Sequence, residues 1–220
     1  CKTKHSIFRK SSIEIMEAKI CGVKDKRTLN FVVSHKYAPK FIGFICNYPK
    51  SHRNLSLEKL KILLNVEKNK SNFVAVLVSP NINYLKKLAN LNFDFFQLYN
   101  VSPKKTLIIK KKFKKKIISV IQISKMKDVN NYKKYKNVAD IILFDSKGYE
   151  KSLGFDHSFL SNVPKIIKIM IAGNIKYNQN LANFEKISDI IDISGSLETR
   201  KKKDVKKINI FLKNINKLNK

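Results

Sequence analysis

A regular beat of short apolar runs constrains this chain more than any other feature. Eight occur, over 18–21, 41–46, 73–78, 93–98, 117–121, 139–144, 166–171 and 190–193. Their starts lie about 20–30 residues apart, the length of one strand–helix unit. Most are unbroken rather than alternating, as strands buried on both faces are. Segments of helical spacing lie between them. Leu57, Leu60, Leu63 and Leu64 form a stripe behind Ser56, a natural N-cap, with Glu58 in the first turn. Leu85, Leu88 and Leu91 form another, and Val205, Ile208, Phe211, Leu212 and Ile215 predict a closing helix with Lys on its outer face. Eight strands, each followed by a helix, predict a single-domain TIM (β/α)8 barrel. An open doubly wound sheet shares the alternation, but eight evenly spaced units favour closure. At 220 residues the chain is at the small end of the range for one barrel, and no linker divides it.

Residues 1–15 are basic and Ser-containing and lack the continuous apolar core of a signal peptide. Met16 directly precedes the first strand. Met16 is therefore read as the natural start, with the barrel over 16–220 and a disordered or non-native extension over 1–15, which sets Cys1 aside.

The formal net charge of +30 invites a nucleic-acid reading. Only Arg9, Arg27, Arg53 and Arg200 are Arg, however, and the remaining 42 basic residues are Lys. With Asn and Ile also abundant, this composition reflects A/T-rich coding rather than selection for phosphate contacts, which draw on the bidentate Arg fork. Nucleic acid is not expected as a partner, although the charge favours anionic small molecules. The run from Lys110 to Lys116, broken by Phe113, reads as a solvated helix face before the fifth strand. Cys1, Cys21 and Cys46 form neither a disulfide framework nor a metal-ligand spacing, which fits a reducing cytoplasm and a site without metal. No apolar run approaches a membrane span.

In a barrel of this kind the chemistry sits where strands end at the C-terminal rim, a filter that passes few polar residues. Strand one ends at Cys21, strand four at Gln97 and strand six at Asp145. Strand two leads into Asn47-Tyr48-Pro49-Lys50-Ser51-His52-Arg53, strand seven into Ala172-Gly173-Asn174, and strand eight carries Asp192 and then Ser194-Gly195-Ser196. A thiol and a carboxylate at one rim can move protons on a small substrate without a cofactor. Lys19, two residues before Cys21, points to the same side of its strand. Taken singly, Cys21 could be a small core hydrophobe, Asp145 a helix cap and Arg53 a surface charge. Cys46 is read as core, and His5, His35, His52 and His157 as non-catalytic.

The segments Lys19-Ile20-Cys21-Gly22, Tyr48-Pro49-Lys50-Ser51-His52-Arg53, Gln97-Leu98, Leu143-Phe144-Asp145-Ser146, Ala172-Gly173-Asn174 and Asp192-Ile193-Ser194 give the chain its family likeness. From Ala18 to about Leu212 it resembles the phosphoribosylanthranilate isomerases of tryptophan biosynthesis. The resemblance implies an Amadori rearrangement of a phosphosugar–anthranilate substrate, in which Asp145 acts as general acid and Cys21 as general base. It places Arg53 at the anthranilate carboxylate, Asp192 near the substrate amine and Gln97 among the substrate-binding residues. Gly173, Asn174, Ser194 and Gly195 are the expected phosphate cradle, where backbone N–H groups can approach closely. The expected assembly is a monomer or homodimer. The alternatives are a related sugar-phosphate isomerase of different specificity and a basic, non-catalytic barrel that binds RNA or other anions.

Four segments depart from the family pattern. Tyr99-Asn100 stands where the family usually has His-Gly, and 147–154 replaces its glycine-rich loop after strand six. Gly173-Asn174 replaces a double glycine, and Ser194-Gly195-Ser196 replaces Ser-Ser-Gly.

Overall fold

The computed structural model describes residues 15–148, 154–164 and 167–220. Its eight parallel strands are β1 (Glu17–Cys21), β2 (Phe41–Ile45), β3 (Asn72–Val78), β4 (Phe95–Tyr99), β5 (Lys116–Ile123), β6 (Ile141–Ser146), β7 (Lys168–Ile171) and β8 (Ile190–Ile193). Each pairs with the next, and β8 pairs with β1 to close the barrel. Every apolar run of the sequence has become a strand. The largest shift is in β6, which starts and ends two residues later than its run, and β4 runs two residues past Gln97 to Tyr99.

Two cores account for the unbroken runs. Side chains alternate across each strand. The outward set, including Ile20, Ile42, Phe44, Phe73, Phe96 and Phe144, packs under the helical layer. The inward set, including Phe41, Val74, Phe95, Ile118, Leu143, Met170 and Ile190, fills the barrel. Phe44 and Phe73 are fully buried and meet edge to face at 5.2 Å. Each such ring contributes about 1.5–3 kcal/mol by leaving water.

The first four strands are followed by helices α1 (Lys26–Val33), α2 (Leu57–Leu63), α3 (Ile82–Ala89) and α4 (Pro103–Phe113), capped by the side chains of Asp25, Ser56, Asn81 and Ser102. After β8 comes a short hairpin, β9 (Glu198–Thr199) and β10 (Lys202–Lys203). The closing helix, here α6 (Val205–Leu218), buries Ile208, Phe211, Leu212 and Ile215 as the spacing predicts. Beyond its end, the Asn219 side chain holds the Met16 backbone at both N–H and C=O, at 2.8 and 3.0 Å. The chain's last turn thereby seals the entry to the first strand.

The expectation of a full helix after every strand does not hold in the second half. Between β5 and β6 lie a 3-10 segment, Met126–Asn131, and the one-turn α5 (Tyr132–Tyr135). Among the described residues, β6 and β7 are followed only by 3-10 turns, His157–Leu160 and Ala182–Phe184. The β7–β8 connection explains itself chemically. Gln179 and Asn180 accept the backbone N–H groups of Lys176 and Ala182, so side chains take hydrogen bonds that a helix would need.

The Lys110–Lys116 run also divides. The helix stops at Phe113, Lys114 turns left-handed at φ +51°, and Lys116 opens β5. Phe113 anchors the helix end against Phe96, and Lys110 pairs with Asp140 at 2.9 Å. The expected extension over 1–15 lies, apart from Ile15, outside the described residues. No helix among the described residues is long and apolar enough to cross a membrane.

Candidate active site

Strand alternation turns Lys19 and Cys21 on β1 into the barrel. Cys21 is in register with Gly43 of β2, and Lys19 with Asp192 of β8. A Cβ on Gly43 would lie 2.9 Å from the Cys21 Sγ and 3.3 Å from the Lys19 Nζ. The missing side chain is thus the space in which thiol and ammonium approach one another. Lys19, with no exposed surface, donates to Asp192 Oδ2 at 2.6 Å. Among the described residues Asp192 Oδ1 is buried without a hydrogen-bond partner.

This cluster sets three ionisations against burial. Burial would discharge Lys19, but the Asp192 carboxylate and the Cys21 sulfur outweigh it and hold the ammonium above its ordinary value. Burial pushes the Cys21 thiol up, and the Lys19 charge pulls it back in part. Burial raises Asp192 as well, against the pull of Lys19.

Asp145 reaches the same cavity from β6. Burial lifts its carboxyl to about 6, against the opposing effect of a hydrogen bond from Tyr99. The Tyr99 hydroxyl donates to Asp145 Oδ2 at 2.8 Å. Gln97 does not line the cavity. It lies one inward position below Tyr99, fully buried, with Nε2 3.4 Å from the Tyr99 hydroxyl. The physical reason is that β4 continues two residues past Gln97, which carries Tyr99 to the rim in its place.

Arg53 follows β2 and folds back over the rim. Gly22, at φ +77°, allows this, since a Cβ there would lie 2.4 Å from Arg53 Cδ. The guanidinium meets Glu198 side-on, Nε to Oε1 at 2.6 Å and Nη2 to Oε2 at 2.9 Å. Lys203 adds a bond to Glu198 Oε1 at 3.0 Å and another to the Ser194 carbonyl at 3.0 Å. Burial would raise Glu198, but Arg53 and Lys203 hold it down at about 2. Burial lowers Lys203 to about 8 despite Glu198. The β9–β10 hairpin brings Glu198 and Lys203 to this point.

Gly173, Asn174, Ser194, Gly195 and Ser196 line the remaining wall. Asn174 sits at φ +55° and Asn100 at φ +54°, left-handed geometry that Asn tolerates where most residues do not. Gly173, at φ +98°, packs against Ser146, and Gly195 lies beside Arg53 Nη2. Ser194 Oγ donates to the Cys21 carbonyl at 2.9 Å.

The structure therefore gathers Cys21, Asp145, Arg53, Asp192, Gly173, Asn174, Ser194 and Gly195 around one cavity of about 320 Å³ at the C-terminal rim. That volume suits a small phosphosugar. Cys46 is buried elsewhere, its thiol donating to the Phe44 carbonyl at 3.2 Å. His35, His52 and His157 do not line the cavity. A wider groove of about 660 Å³, lined by Lys24, Arg27, His52, Lys59 and Lys203 among others, contains neither Cys21 nor Asp145.

Sequence reasoning had not assigned Tyr99, Glu198 or Lys203 to the site. Tyr99 could have been found, since it shares Gln97's inward parity and stands at a departure from the family pattern. Glu198 and Lys203 carry no such signal, because only the hairpin's return places them.

Comparisons with known proteins give the family and the fold. The family model described as N-(5'phosphoribosyl)anthranilate (PRA) isomerase matches residues 18–214. The N-(5'-phosphoribosyl)anthranilate isomerase of Clostridium acetobutylicum is 28% identical over 92% of this chain and 99% of its own length. That of Staphylococcus epidermidis is 27% identical over 90% and 97%. Among solved structures, phosphoribosyl anthranilate isomerase from Thermotoga maritima superposes with a TM-score of 0.80 at 21% identity, covering 92% of this chain and 99% of that one. A phosphoribosyl anthranilate isomerase in complex with reduced 1-(o-carboxyphenylamino)-1-deoxyribulose 5-phosphate gives 0.79 at 21% identity, with the same coverage.

Proposed function

The chain belongs to the N-(5'-phosphoribosyl)anthranilate isomerase family, and from that premise we propose that Cys21 is the general base and Asp145 the general acid of its reaction. The activity is the Amadori rearrangement of N-(5'-phosphoribosyl)anthranilate to 1-(2-carboxyphenylamino)-1-deoxyribulose 5-phosphate in tryptophan biosynthesis. The observation that carries the assignment is that Cys21 and Asp145 line one cavity, and that Asp145, lifted to about 6, retains a proton unusually well for a carboxyl group.

Asp145 gives its proton to the furanose ring oxygen. The bond from that oxygen to the anomeric carbon breaks, its electron pair stays on oxygen, and the nitrogen lone pair closes a C=N bond. The Cys21 thiolate then takes the proton from the second sugar carbon, and the C–H electrons shift to give an enolamine that tautomerises to the aminoketose. The productive state couples a thiolate with a protonated carboxyl, the reverse of the order in which the two groups ionise. Lys19 matters because it narrows that gap.

Arg53 meets the anthranilate carboxylate with the N–H groups that Glu198 leaves free, so Glu198 aims the guanidinium. Asp192 Oδ1 accepts the substrate amine. Gly173, Asn174, Ser194 and Gly195 hold the phosphate by backbone N–H groups. The chain acts as a monomer or a homodimer, the Thermotoga maritima relative being described as dimeric.

The test is steady-state turnover by purified Cys21→Ala and Asp145→Asn with circular dichroism unchanged. Both should lose at least about 100-fold in kcat, as removal of a general base or acid does. Full activity in both overturns the assignment.

A further inference from the structure

We propose that Tyr99 is a positioning residue for the general acid: its phenol holds Oδ2 of Asp145, so that the transferable proton rides on Oδ1, and it stays bonded to the carboxylate left behind when that proton departs. The inference rests on the reading of Asp145 as the acid.

The geometry is a short chain of donors. Gln97 Nε2 lies 3.4 Å from the Tyr99 hydroxyl, and that hydroxyl donates to Asp145 Oδ2 at 2.8 Å. With an amide N–H facing its lone pair, the phenol directs its own proton to the carboxyl group. Oδ2 then accepts, and Oδ1 carries the acid proton. The phenol itself keeps its proton, since burial and the neighbouring Asp145 push its ionisation well above the ordinary tyrosine value. Tyr99 therefore acts as a donor throughout and does not compete with Asp145 as the acid.

The charge change during catalysis gives the bond its purpose. Protonation of the ring oxygen turns Asp145 into a carboxylate inside a buried site. Asp192 on β8 disfavours that charge, whereas Lys19 on β1, the Ser146 backbone N–H and the Tyr99 hydroxyl favour it. Among these favourable groups Tyr99 is the most readily altered, because Lys19 is committed to Asp192. A donor to an ionised carboxyl strengthens as the charge forms, which is the condition for favouring the transition state over the ground state.

The experiment follows the carboxylic C=O band of Asp145 by difference infrared spectroscopy across pH, the band being identified by its absence in Asp145→Asn. Tyr99→Phe should move the Asp145 midpoint up by about one pH unit. The low-pH inflection of kcat/KM should move with it. Should Tyr99→Phe fail to fold, 3-fluorotyrosine at position 99 keeps the shape and makes a stronger donor, and the midpoint should then move down. An Asp145 midpoint unchanged in whichever variant folds overturns the proposal. If the midpoint moves but Asp145→Asn keeps full activity, the bond stands and the acid assignment falls, so the two failures are distinguishable.

Discussion

Replacing Lys19 by Met tests the electrostatics of the site more sharply than any other single change. The Lys19–Asp192 contact is 2.6 Å long and its partners are 0% and 6% exposed, so neither group can recover solvation if the other is lost. Removing one partner of such a pair costs about 3–5 kcal/mol, whereas replacing both by uncharged groups is often near neutral. Lys19→Met should therefore destabilise the barrel by about that amount in urea unfolding, and Lys19→Met with Asp192→Asn should restore most of it. The functional consequence is read at the thiol. An opposite charge at this range shifts an ionisation by about 1–3 pH units. In a Cys1→Ser, Cys46→Ala background, where Cys21 is the one thiol left, ultraviolet thiolate absorbance gives its midpoint directly. Asp192→Asn alone should lower that midpoint, because Asp192 opposes the thiolate. Adding Lys19→Met should raise it again by about 1–3 units. An unchanged midpoint between those two proteins would mean that the ammonium stabilises only Asp192, and the reasoning about the base would be wrong.

Two further predictions follow from the same packing. Gly43→Ala puts a methyl 2.9 Å from Cys21 Sγ, and should cost about 1–3 kcal/mol in stability while lowering kcat more than it raises KM; wild-type kcat would show that thiol and ammonium need no such space. Glu198 ionises at about 2 in the fold against an ordinary 4.5. Its stabilising contribution is thus complete above about pH 4.5 and lost as the pH falls towards 2. Glu198→Gln should flatten that part of the melting-temperature curve, and should raise KM through a misaimed Arg53.

The barrel was legible because a parallel strand covered on both sides has to be apolar on both faces, and eight such runs leave little else to build. The stripe behind Ser56 gave α2 and its cap, since both the spacing and the cap are local. That 3-10 turns alone follow β6 and β7 among the described residues is less legible, because a connection's length says nothing of which side chains take its backbone hydrogen bonds. Cys21 and Asp145 could be picked out as polar residues closing apolar runs. Gln97 carries the same local signal, but β4 continues two residues past it and sets Tyr99 at the rim.

By itself the sequence determined the strands, their burial on both faces, and the reactive residues at the C-terminal ends of β1 and β6, Cys21 last in its strand and Asp145 next to last. Tertiary structure alone decided what those residues touch. Lys19 meets Asp192 across 173 positions, Arg53 meets Glu198 across 145, and Tyr99 meets Asp145 across 46. The first and third pairings depend on the register in which the closed barrel sets one strand against the next, and the second on the return of the β9–β10 hairpin; local periodicity carries no information about either.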